Sequence, residues 1–87
     1  MPLGSRPSLN QQSDEALLQL VAQQNLAAYD LLFRRHAQVM HNLIARIVRD
    51  PVTAEDLLQD TFWQIWENAN QYRGSGAALA WMMRRLR

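Results

Sequence analysis

At 87 residues the chain has room for one small domain and no more, with a core that buries only a modest share of its surface. Hydrophobic residues make up 48 % of it, too many for a disordered chain, and no run approaches the roughly 18 consecutive apolar residues of a membrane span. The net charge of +1 hides a segregation: residues 1–70 hold five arginines against eight acids, net −3, whereas residues 71–87 hold four arginines and no acid, net +4.

Residues 1–12 carry Pro2, Gly4 and Pro7 among Ser, Asn and Gln, the composition of a disordered lead. Their Pro-Leu-Gly-Ser looks partly like a scar of expression cloning, and they lack the charged and apolar regions of a signal peptide. Ser13 is an expected N-cap, with Asp14 and Glu15 where a helix dipole favours negative charge. A short helix over about 14–23 then places Leu17, Leu20 and Val21 on one face, and Gln23-Gln24-Asn25 breaks it. The second helix, about 26–49, has the longest periodic pattern. Tyr29, Leu32, Phe33, His36, Met40, Leu43, Ile44, Ile47 and Val48 step by three and four as one apolar stripe. Asp50-Pro51 ends it, because proline cannot continue the hydrogen-bond ladder.

Thr53 is the expected N-cap of a third helix running to about Tyr72, with Glu55 and Asp56 in its first turn and Leu58, Phe62, Ile65, Trp66 and Ala69 on its buried face. Gly74-Ser75-Gly76 breaks the pattern. A fourth helix begins near Ala77, with Leu79, Met82, Met83 and Leu86 apolar, and is still in progress at Arg87. No strand pattern is visible. The expected fold is all-α, a compact bundle of three to four helices formed by residues 13–87.

Two groups of residues are surplus to that core. Asp56, Gln59, Asp60 and Trp63 follow i, i+3, i+4, i+7 spacing and share one exposed helix face. Such a face suits helix docking, since tryptophan is enriched at binding hot spots and carboxylates fix register. It equally suits a solvated acidic surface with Trp63 folded onto the second helix. Downstream, Tyr72, Arg73, Ser75 and Gly76 combine an aromatic ring, a cation, a hydroxyl and flexible backbone, and Trp81, Arg84 and Arg85 follow on the fourth helix. That set can stack on an unpaired base and hold phosphate, or it can be an ordinary solvated helix end. No phosphate-binding loop, nucleophile–base pair or metal-ligand spacing is present, so the chain is not read as an enzyme and no cofactor is expected. The absence of cysteine points to a reducing cytoplasm.

The string from Ala54 to Trp66, AEDLLQDTFWQIW, resembles the signature of extracytoplasmic-function (ECF) sigma factors. Asp50-Pro51 resembles the family's turn before that helix. Tyr72-Arg73-Gly74-Ser75 followed by Trp81 matches its (F/Y)RG…W stretch, and Tyr29, Phe33 and His36 match its upstream helix. The resemblance covers about residues 14–87 and identifies region 2 of the family. It implies that Asp56, Gln59 and Asp60, with Trp63 adjacent, dock on the clamp-helix coiled coil of the RNA polymerase β′ subunit. It also implies that loop 72–78 captures a flipped base of the promoter −10 element on the non-template strand. There Tyr72 supports the loop, Ser75, Gly76 and Ala77 lie nearest the base, and Trp81, Arg84 and Arg85 face melted DNA or, for Trp81, the core. An anti-sigma factor is a further implied partner.

Two departures stand out. Ala77 and Ala78 occupy positions where the family usually carries polar or aromatic residues, and the usual second domain that reads the −35 element does not follow. A region-2 fragment, a sigma-like decoy that binds an anti-sigma factor and a generic helical interaction module are the three readings the residues allow.

Overall fold

The computed structural model describes residues 8–74 and 76–86. Four α-helices follow in order, α1 (Asp14–Ala22), α2 (Leu26–Val48), α3 (Pro51–Asn68) and α4 (Ala78–Met83), with no strand among the described residues. The all-α expectation is met. Leu9–Gln11, inside the lead expected to be disordered, instead form a 3-10 turn, and Leu9 packs against the core. Arg35 Nη2 donates to the Asn10 carbonyl at 2.9 Å, which ties this turn to α2.

Each boundary has a local cause. The Ser13 hydroxyl accepts from the Ala16 N–H at 3.0 Å, and the Asn25 side chain accepts from the Ala28 N–H at 3.0 Å. Between α1 and α2 the chain reverses through Gln24, whose φ of 65° is left-handed. Arg49 ends α2 in the same region, at φ 59°. The expected N-cap Thr53 is corrected to Asp50. Pro51 occupies the first turn, where its missing N–H costs nothing, and the Thr53 hydroxyl donates to the Asp50 carboxylate. This earlier start moves Glu55 and Asp56 out of the first turn of α3, beyond the main reach of the helix dipole. The third element also ends sooner than expected: α3 stops at Asn68, and Ala69–Gln71 tighten into a 3-10 turn. Likewise α4 ends at Met83 rather than continuing, with 3-10-type bonds from Arg85 N–H to Met82 O and from Leu86 N–H to Met83 O.

Leu17, Leu18 and Val21 of α1, Leu32, Met40 and Ile44 of α2, Leu58, Phe62 and Ile65 of α3 and Met82 of α4 make up most of the buried core. Leu20, expected on the buried face of α1, is half-buried, and Leu18 takes the fully buried place. An aromatic cluster clamps α2 on α3. Tyr29 meets Trp66 edge-on at 5.1 Å, Phe33 meets Phe62 edge-on at 5.0 Å, and the Tyr29 hydroxyl donates to the Phe62 carbonyl at 2.7 Å. Burial raises the Tyr29 phenol above its usual value, which keeps it a donor. At the other side of α2, Asp14 Oδ1 accepts from Arg35 Nη1 at 3.0 Å, and Asp14 Oδ2 lies 2.9 Å from His36 Nε2.

The α2 stripe does not run continuously into the core. Leu43 and Ile47 are 38 % and 69 % exposed. The reason is length. The nine residues of α1 span about 14 Å and the 23 of α2 about 35 Å, and Asp14, at the start of α1, already lies beside Arg35 and His36. Among the described residues the second half of α2 therefore has α3 as its neighbour helix, and the outer part of its stripe stays open. No described helix is long and apolar enough to cross a membrane.

Candidate functional site

The four side chains singled out on α3 share an exposed face. Asp56, Gln59 and Asp60 are exposed, and Trp63 is 57 % exposed. The ion pairs found among the described residues join Asp30 to Arg34 and Asp14 to Arg35, with His36 beside Asp14, and none involves this face. Its geometry follows from the opposite side of the helix: Leu58, Phe62 and Ile65 point into the core, so residues offset by half a turn must point out.

Trp63 does not stand alone. It forms one wall of a groove of about 470 Å³ whose other walls are Leu26, Tyr29, Asp30, Phe33, Gln59 and Phe62. A second depression of about 320 Å³ shares Phe33 and Gln59 and extends along Ala37, His41 and Glu55. Gln59 and Trp63 of the exposed α3 face thus line a largely apolar trough between α2 and α3, and Asp56 and Asp60 are exposed on the same helix face. Sequence periodicity places Phe33 in the apolar stripe of α2; at 36 % exposure it meets Phe62 on one side and lines the trough on the other. Nothing local distinguishes a stripe residue at the edge of an interhelical seam from one in its middle.

In the downstream segment, Tyr72 is only 7 % exposed, and its hydroxyl donates to the Gly76 carbonyl at 2.8 Å. Burial, reinforced by the Glu15 carboxylate nearby, raises its phenol above the usual value. Gly74 and Gly76 take φ values of +78° and +83°, a backbone region that side chains other than glycine's disfavour. Arg73, Gly76 and Ala77 are exposed along the loop, and Ser75 lies outside the described residues. Trp81 is half-buried against the core and meets Tyr72 edge-on at 5.9 Å, while the Arg85 guanidinium carbon sits 4.2 Å from the Trp81 ring centroid. The structure therefore brings Tyr72, Trp81 and Arg85 into one cluster and leaves Arg84 exposed beside it.

One contact at this site had no signal in the sequence. The Ala78 N–H, at the start of α4, donates to Glu15 Oε2 on α1 at 2.8 Å across 63 positions.

Comparison with known proteins adds to this geometry. The sequence profile of the Sigma-70 region 2 family matches residues 32–87. The ECF RNA polymerase sigma factor SigK of Mycolicibacterium vanbaalenii is 37 % identical over 70 residues, covering 79 % of this chain and 36 % of that protein. SigK of Mycobacterium tuberculosis is 31 % identical over 70 residues, 79 % of this chain and 37 % of its own length. The RNA polymerase sigma-H factor of Pseudomonas aeruginosa is 30 % identical over 76 residues, 87 % of this chain and 39 % of the relative. The chain spans 36 % to 39 % of the length of these relatives. No solved structure matches it.

Proposed function

Because this chain belongs to the sigma-70 region 2 family, in its ECF form, we propose that it acts as the part of a transcription initiation factor that docks on the β′ clamp helices of RNA polymerase and captures an unstacked base of the promoter −10 element. The observation that carries the docking half is the face of Asp56, Gln59, Asp60 and Trp63, exposed, free of ion pairs with described residues, and lining an apolar trough at Gln59 and Trp63. A coiled-coil partner with apolar seam residues and basic flanks has both halves of its surface matched there. The carboxylates fix register, and the aromatic wall supplies buried area.

The promoter half rests on the loop from Arg73 to Ala77. Its backbone is held at Tyr72, while Arg73 and Gly76 stay accessible. Capturing a base that has left the stack needs a surface already shaped to receive it, because unstacking costs a few kcal/mol that contacts must offset. Arg73, Arg84 and Arg85 can hold the phosphates on either side, Trp81 braces Arg85 rather than standing free, and Ser75 and Ala77 complete the base-facing edge in this proposal. Opening is driven by binding alone, so the domain works without catalysis. Residues 13–87 form the functional unit, residues 1–12 a lead, and an anti-sigma factor is a further proposed partner.

The test is binding of this chain to a purified β′ clamp-helix coiled coil, with Asp60→Arg beside the wild type. Reversing an exposed charge leaves stability within about 0.5 kcal/mol, so the variant is expected to keep its far-UV circular dichroism and lose docking. Equal binding by both proteins overturns the docking face. A folded wild type that does not bind redirects the assignment to a sigma-like decoy.

A further inference from the structure

The loop proposed to capture a base is held from outside itself. α4 begins at Ala78 after Ala77, a residue with no side chain able to cap a helix. The first turn of α4 would present an unsatisfied buried donor, because Ala78 is fully buried. Glu15 of α1 fills that place: its Oε2 accepts the Ala78 N–H at 2.8 Å. One turn further along α1, Gln19 lies against the loop at Gly74, so close that a Cβ there would come within 2.4 Å of Gln19 Nε2. At its start the loop is anchored by buried Tyr72, whose hydroxyl reaches across to Gly76.

We infer that Glu15 is a positioning residue for base selection: its carboxylate fixes the Ala78 end of loop 73–77 against α1, so that the loop presents one shape to DNA. The inference rests on the proposed capture of a −10 base and adds to it a determinant outside the loop. The chemistry is specific. A carboxylate accepting a buried backbone N–H is a charge-assisted bond, and its loss leaves the donor unpaired, which a six-residue helix cannot compensate elsewhere. With Glu15 removed, burial of Ala78 and Met82 still seats α4, but the Ala78 N–H has lost its acceptor and the end of the loop beside it samples several shapes, so bases are bound with less discrimination.

The experiment compares wild type, E15A, E15Q and E15D in this chain. Binding is read with labelled single-stranded oligonucleotides of a −10-like sequence differing at one base, and docking with the clamp-helix coiled coil. Hydrogen exchange at the Ala78 amide reports the contact itself. E15A is expected to expose the Ala78 amide and to reduce discrimination between the best and worst base about tenfold, the order expected for losing a charged acceptor, while clamp docking stays unchanged. E15Q keeps an acceptor oxygen at the same reach and is expected to restore most of the discrimination, which a bulk effect on folding would not do selectively. If E15A does not fold, E15D carries the comparison, since its carboxylate falls one methylene short of Ala78. Discrimination unchanged in a folded variant whose Ala78 amide has become exposed overturns the inference and leaves the proposed function standing. A wild type with no base preference overturns both.

Discussion

The Tyr72 hydroxyl and the Gly76 carbonyl are joined by a 2.8 Å hydrogen bond that closes the loop between α3 and α4 from within. The donor ring is buried and braced edge-on by Trp81, so the bond starts from a fixed point, and its acceptor lies on a glycine in a left-handed conformation. Tyr72→Phe keeps the ring and deletes the bond. Expected are a lower urea midpoint with an unchanged slope and roughly fivefold weaker discrimination among single-base DNA variants, the effect of one neutral hydrogen bond. An unchanged midpoint together with unchanged discrimination counts against a loop held by Tyr72.

Trp63 is more than half exposed on the wall of the α2–α3 trough. Trp63→Ala is expected to leave thermal stability nearly intact and to weaken clamp-helix binding by about 2 kcal/mol, the usual size of an aromatic hot spot. Calorimetric titration of both proteins measures it. A large loss of stability with unchanged affinity would assign Trp63 to packing.

Phe62 lies at the centre of the aromatic cluster, 2 % exposed, and contacts the rings of Tyr29 and Phe33. Phe62→Ala is expected to cost about 3–5 kcal/mol by loss of buried area and creation of a cavity. That is a large part of the stability of a domain this size. Chemical denaturation is expected to show a partly unfolded variant near neutral pH.

Asp14 links α1 to Arg35 and His36 of α2. Burial alone would raise its carboxyl, but the contacts from His36 and Arg35 outweigh burial and hold it below its ordinary value of 3.8. A carboxyl with a depressed folded-state pKa stabilises the fold above the unfolded value, and that contribution is lost as pH falls through the folded one. Asp14→Asn is therefore expected to be less stable than wild type near neutral pH, with the difference shrinking in acid well below 3.8. Denaturation at several pH values, with the two curves parallel throughout, would count against the linkage.

How much of this was legible beforehand depends on the range of the interaction. Helix content, the buried positions of α3 and the exposed Asp56–Trp63 face follow from 3.6-residue periodicity, which any short window of sequence carries. The Thr53 cap was misplaced because Asp50 and Thr53 are both good caps, and the proline between them, which decided the start, reads as a stop as readily as a first turn. Phe33, Leu43 and Ile47 read as one stripe with the buried Leu32, Met40 and Ile44, because periodicity records which face is apolar and not how far the neighbouring helix reaches.

By itself the sequence determined an all-α domain, its family signature, and two candidate surfaces on separate segments, because each depends on residues within a turn or two of one another. Tertiary structure alone decided that Phe33 joins Trp63 in one trough, that Trp81 meets Tyr72 edge-on, and that Glu15 holds Ala78. Those relationships cross gaps of up to 63 positions. No local pattern encodes them, since they arise only when packing of the apolar faces brings α2 against α3 and α1 against α4 and leaves particular polar groups to find partners there.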